Sequence, residues 1–226
     1  MKSLAISALL LAACRPLPPV PTLPVHASTE GAGEGETTAI IVLGFAGSPL
    51  GGGGWGGALR IEHQYTDATT LGVELTGGAA AQKVKNEHDD YFRQWLLGAR
   101  GYGRSRIGGS RYADYTYGVG LAVMGSGSLV TEVHAGGLVG YPNDYVEPQL
   151  QASVALSVPV LSGTNYGGES QHRPGMPYDV FFVLDGGAIV HPRDSNSISL
   201  DVGVADPMIN DDLILGVTAA DAFNAN

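Results

Sequence analysis

Apolar and polar residues alternate with a period of two along most of this chain. Between Val146 and Val158, the residues Val146, Pro148, Leu150, Ala152, Val154, Leu156 and Val158 share one face, and Glu147, Gln149, Gln151, Ser153, Ala155 and Ser157 share the other. A helix repeats every 3.6 residues, so a run this long and regular is a strand. The same alternation sets Leu71, Val73 and Leu75 against Gly72, Glu74 and Thr76, and Tyr115, Tyr117, Val119, Leu121 and Val123 against Thr116, Gly118, Gly120 and Ala122. The pattern predicts about ten strands, over 37–47, 56–66, 69–80, 91–103, 113–125, 128–141, 145–160, 178–191, 196–204 and 212–222. Most reach the ~9 to 11 residues that a tilted strand needs to cross a bilayer, whereas strands of soluble sheets average about five or six. Successive strands with short links predict an all-β fold, an antiparallel up-and-down β-barrel of about 8–10 strands.

Which face points inward depends on what the weaker face contains. It is mostly Gly, Ala, Ser, Thr and Gln with scattered charges, which suits the lumen of a narrow barrel more than a water-facing surface. The lumen candidates are Arg60, Glu62, Glu74, Arg100, Glu132, Glu147, Asp185 and Asp201. The apolar face then meets lipid. The alternative is a soluble, lipid-anchored β-barrel or sandwich with the apolar face as its core, binding a small apolar ligand or a protein, since alternation alone does not separate inside from outside.

Composition favours the lipid-facing reading. Glycine accounts for 34 of 226 residues and charged residues for only 15%, against roughly a quarter in soluble domains. The net charge of -10 offers no basic stripe for phosphates, which excludes nucleic acid as a partner. No apolar run after Cys14 is long enough for a helical span.

The amino terminus supplies a second signal. Met1-Lys2-Ser3 precedes an apolar run from Leu4 to Leu11, too short to cross a bilayer and placed like a secretory signal. Leu11-Ala12-Ala13-Cys14 resembles the bacterial lipobox, and Cys14 is the only cysteine in the chain. The resemblance implies acylation of Cys14 with palmitate and related chains, followed by cleavage before it. Arg15, where an aspartate would imply retention at the inner membrane, implies the outer one. The resulting division is a signal peptide over 1–13, a Pro/Gly-rich tether over 14–36 and a barrel domain over 37–226.

With the amino terminus on the periplasmic side, the odd-numbered links fall outside: Gly47 to Gly57, Gln82 to Asp90, Gly125 to Ser128, Ser162 to Pro177 and Ala205 to Asp212. The inner ones, including Arg104 to Tyr112, are on the whole shorter, as in outer-membrane barrels. Strand-end aromatics then form two girdles. Tyr65, Tyr102, Tyr112, Tyr115, Tyr141, Tyr145 and Phe223 are expected at the periplasmic interface, and Trp55, Tyr91, Phe92, Tyr178 and Phe181 at the outer one. The pattern over 37–223 resembles small outer-membrane β-barrel proteins, which implies residence in the bacterial outer membrane among its lipids.

Signals for chemistry are sparse. Glu87-His88-Asp89-Asp90 sits in an outer link, where outer-membrane proteases resembling omptins carry acidic and histidine residues, but no second pair accompanies it, so a hydrolase ranks last. Glu132 and His134 share a face without a further histidine to complete a metal site. Gly51 to Gly57 lacks the Lys-Ser/Thr of a phosphate loop and reads as a surface turn. No catalytic residue, metal or cofactor is assigned. The expected role is non-enzymatic, structural or surface-contacting, with Tyr166, His172, Arg173 and Met176 in the long link 162–177 as contact residues for a possible protein partner.

Overall fold

The computed structural model describes residues 33–47, 53–83, 91–125, 129–161, 179–190, 196–207 and 214–224. Ten strands are present: β1 (Thr37–Gly47), β2 (Gly53–Thr66), β3 (Thr69–Lys83), β4 (Tyr91–Arg106), β5 (Ala113–Met124), β6 (Leu129–Gly140), β7 (Val146–Leu161), β8 (Asp179–Val190), β9 (Asn196–Pro207) and β10 (Ile214–Asn224). Each pairs antiparallel with its sequence neighbours, and β1 pairs with β10, so the sheet closes into a barrel with no free edge. All ten predicted strands are there, several of them longer than expected. The glycine run is the main correction to the boundaries: Gly53 to Gly57 belong to β2 and pair with β1 and β3, so only its first residues remain in the link. Likewise Gln82 and Lys83 extend β3, and Arg104 to Arg106 extend β4.

The strands are strongly tilted. Following the ladder around the barrel from Thr38, through Glu62, Gly72, Tyr102, Gly118, His134, Ala155 and Phe181, leads to Pro207. It starts at the first turn of β1 and ends at the far end of β9. That climb is the shear which closure of a small barrel requires.

The three described short turns are closed by local chemistry. Asp67-Ala68 joins β2 to β3, with the Ala68 amide donating to Thr66 Oγ1 at 3.2 Å. Between β4 and β5, Gly108 and Gly109 take positive φ of 59° and 75°, a conformation that side-chain-bearing residues rarely adopt. Asn143 Oδ1 accepts from the amides of Tyr145 and Val146 at 3.0 and 2.9 Å, an Asx turn that starts β7.

The apolar face of the alternation points outward. Val73, Leu75, Leu97, Val119, Leu121, Val133, Val154 and Leu200 are exposed around the belt, Leu121 by 50% and Val119 by 60%. Exposed aromatics bound this belt at both ends. Tyr65, Tyr112, Tyr115, Tyr141 and Tyr145 lie at the short-turn end, where Tyr112 and Tyr141 stack 5.9 Å apart, and Phe45, Trp55 and Trp95 lie at the other. A strand tilted about 40° climbs ~20 Å from Tyr115 to Val123, close to the apolar band of outer-membrane barrels.

Two expected girdle residues are placed otherwise. Tyr102 and Phe181 are buried in the lumen. Side-chain parity decides this: Tyr102 shares its face of β4 with Arg100 and Arg104, and Phe181 shares its face of β8 with Val183 and Asp185. Position near a strand end does not override the pleat. The side chain of Phe223 and those of Tyr91, Phe92 and Tyr178 lie outside the described residues.

The outward belt makes a depth-dependent prediction. Leu121→Arg, at mid-strand, should cost about 2–4 kcal/mol of folding free energy in a bilayer, and Tyr115→Arg, at the aromatic girdle, about 0–1 kcal/mol. Urea unfolding from lipid vesicles measures both, and equal costs at the two depths would contradict the belt.

Candidate functional site

The buried charged side chains of the described residues lie in the lumen, and strand parity puts them there. Every predicted lumen residue, Arg60, Glu62, Glu74, Arg100, Glu132, Glu147, Asp185 and Asp201, is buried inside the barrel. The structure adds Tyr102, Arg104, Asp114 and His134. Arg104, expected in a link, continues the inward series of β4. Extending the alternation by one more turn of the pleat would have found it.

On the β2–β6 side these residues form one connected network. Glu74 accepts from Arg60 Nε on one side and pairs with Arg100 Nη2 at 2.9 Å on the other. Arg100 Nη1 lies 3.9 Å from Glu132 Oε1, which also sits 3.1 Å from His134 Nδ1. The Tyr102 hydroxyl donates to Glu62 Oε1 at 2.7 Å. Arg60 and Arg100 sit over its ring, with Cζ 5.9 and 5.7 Å from the centroid, favourable cation–π distances. Arg104 bridges Glu62 Oε2 and Asp114 Oδ2 at 3.8 and 3.7 Å. A low-dielectric interior demands such pairing, because a lone buried charge is expensive.

Glycine makes room for these side chains. Across the ladder from Tyr102 is Gly72, where a Cβ would lie 2.7 Å from the tyrosine oxygen. Opposite His134 is Gly118, where a Cβ would lie 2.8 Å from the ring Nε2. Gly120 faces Arg100, Gly136 faces Ser153, Gly187 faces Asp201 and Gly203 faces Asp185. Tyr102, His134, Arg100, Asp201 and Asp185 each lie against a glycine of the neighbouring strand.

The rest of the lumen is apolar at two places. Leu96, Ala122, Met124 and Val130 cluster at the long-link end, and Ile40, Val42, Ala220 and Ala222 pack on the β1–β10 wall. Glu132 and His134 meet each other as expected, and no group of three or more metal-ligating side chains occurs among the described residues. Cys14, the pair His88 and Asp89, and the contact candidates Tyr166, His172, Arg173 and Met176 lie outside the described residues.

The translocator domain of the autotransporter NalP from Neisseria meningitidis superposes with a TM-score of 0.57 at 11% identity, covering 86% of this chain and 91% of that one. The fold is that of an outer-membrane β-barrel. An outer-membrane channel from Pseudomonas putida F1 gives 0.45 at 9% identity over 86% of this chain and 98% of that one. The amino-terminal β-barrel domain of OprF from Pseudomonas aeruginosa gives 0.38 at 13% identity over 83% and 98%. No family model matches the sequence, and no curated protein does. At such identities the likeness is one of fold alone.

The glycine pairing is testable by a matched pair of substitutions. Gly72→Ala should cost about 1–3 kcal/mol as an overpacked site, because the Tyr102 ring has to move. Gly101→Ala, where a Cβ meets nothing within 4 Å, should stay within about 0.5 kcal/mol of wild type. Equilibrium unfolding of both proteins decides, and equal stabilities would remove glycine's role beneath Tyr102.

Proposed function

We propose that the chain is a bacterial outer-membrane β-barrel lipoprotein whose role is structural or surface-contacting, neither conducting nor catalytic. The observation that carries this reading is the filling of the lumen. Glu132 and Glu147 expose none of their surface, and Arg60, Glu74 and Asp185 only 1–2%. A water-filled pore would leave such side chains wet. A polar network sealed from water has no route to an outside substrate, so its charges serve packing and specificity.

The aliphatic belt and its two aromatic girdles support a place in a membrane, and a closed barrel is the form in which strands cross one. The lipobox resemblance of Leu11-Ala12-Ala13-Cys14 supports an acyl anchor on Cys14. With that anchor in the periplasmic leaflet, the short turns face the periplasm and the link 162–177 faces the exterior. Protein contact then falls to that link, with Tyr166, His172, Arg173 and Met176 as its candidates.

Planar-bilayer recording of the purified full chain tests the central point. The expected result is a membrane-inserted protein without a stable open state, and a reproducible single-channel conductance overturns the reading. The anchor is tested separately: labelled palmitate should enter the wild-type chain in growing bacteria and be absent from Cys14→Ala. Label retained in that variant would contradict acylation at Cys14.

A further inference from the structure

Asp221 breaks the rule that sends carboxylates inward. Every other strand carboxylate with a described side chain is buried in the lumen, whereas Asp221 on β10 is exposed on the apolar face. Its ladder neighbours are Ile41 on β1 and Ile198 on β9, themselves 47% and 55% exposed on that face. Asp221 makes no side-chain hydrogen bond or ion pair with another described residue. A carboxylate on a lipid-facing wall is costly unless a partner meets it there.

A second ionisable side chain stands on the same face, on the other side of β1. His63 on β2 is exposed, and its Nδ1 lies 3.1 Å from Thr37 Oγ1. When Nδ1 accepts from that hydroxyl, Nε2 carries the proton and is the ring's remaining donor. The register places the two groups symmetrically: Asp221 pairs with Ile41 and His63 with Thr37, two residues above and two below Ala39. With strands about 4.8 Å apart and tilted about 40°, they stand ~8 Å to either side of Ala39 and differ in height by only ~4 Å. That separation is too wide for them to meet within one chain. Ala39 itself is a hollow in the face, 9% exposed beside Ile41 and its ladder partner Ile61.

We propose that this face is a two-fold interface between two copies of the chain in the membrane, with Ala39 at its centre and Asp221 of each copy accepting from His63 of the other. A two-fold axis along the membrane normal, passing in front of Ala39, exchanges left and right at constant height. Asp221 of one barrel therefore comes opposite His63 of the second, and the reverse pair forms at the same time, as an isologous interface requires. The hollow at Ala39 lets the two walls approach, and Ile41 and Ile61 pack around it. An imidazole N–H donates to a carboxylate whether or not the ring is charged, so the pairing needs no change of protonation. The carboxylate that would otherwise face acyl chains is met by a donor.

Sedimentation equilibrium of the full chain in density-matched detergent micelles tests this. The expected result is a monomer–dimer equilibrium, with Asp221→Ala and His63→Ala each weakening the dimer by roughly tenfold or more. The exchange Asp221→His with His63→Asp should restore it, because the pairing is reciprocal, and that recovery separates a lost contact from a disturbed fold. In a Cys14→Ser background, a short bis-maleimide should cross-link two copies through Ala39→Cys and not through Val133→Cys, which lies on the opposite wall. A monomer at every concentration overturns the proposal, the result expected if Asp221 instead meets the ammonium of a phospholipid headgroup. So does a dimer that neither single substitution weakens, one that the exchange fails to restore, or one that cross-links equally through Val133→Cys.

Discussion

Every other feature of this barrel depends on fitting large polar side chains into a lumen barely wide enough for them. Part of the solution is an alternation of large and small residues along a hydrogen-bonded row. One row reads Glu62, Gly72, Tyr102, Gly118, His134, Ala155 and Phe181. A residue with a Cβ at Gly72 or Gly118 would collide with its neighbour, so the glycines let each ring lie against the wall and fill the space that the next strand leaves open. Small barrels fill their taper in this way. The high glycine content is therefore a packing requirement more than a sign of looseness.

Lipid outside and packing inside together explain the charge arrangement. A closed sheet in hydrocarbon satisfies its backbone internally and sends its polar side chains to the lumen. There, Glu74 between Arg60 and Arg100, and Glu62 between Tyr102 and Arg104, link strands β2 to β4 side by side. Buried pairs of this kind add little net stability relative to apolar packing, but breaking one is costly. Their consequence is to fix register. A slip of one residue would turn Arg60 and Glu74 toward lipid and bring Leu59 and Leu75 inside.

Much of this was legible in the sequence because the pleat writes itself as a period of two. All ten strands and the inward set from Arg60 to Asp201 follow from parity. The readings that failed ignored parity in favour of position. Tyr102 and Phe181 lie near strand ends, which suggests the girdles, and Arg104 falls in a link when β4 is ended at Gly103. Gly53 to Gly57 read as a turn because glycine usually marks one, whereas here the run is strand, with Gly54 and Gly56 on the inward face of Arg60 and Trp55 on the outward one. Pairing within the network was not legible, since which carboxylate meets which guanidinium depends on the shear of the ladder. The partners of Glu74, on strands either side of it, emerge only once the strands are in register.

The central claim is that the apolar face meets acyl chains while the polar face is a sealed core. Intermolecular NOEs between detergent acyl chains and protein methyl groups, in an otherwise deuterated sample, test it most directly. The account predicts detergent contacts to Val73, Leu97, Val119 and Leu121 and none to Ile40, Val42, Val130 or Leu138, whose methyls should see only protein. Detergent contacts to the second group with none to the first would mean that the faces are reversed, and water contacts throughout the second group would mean that the lumen is open.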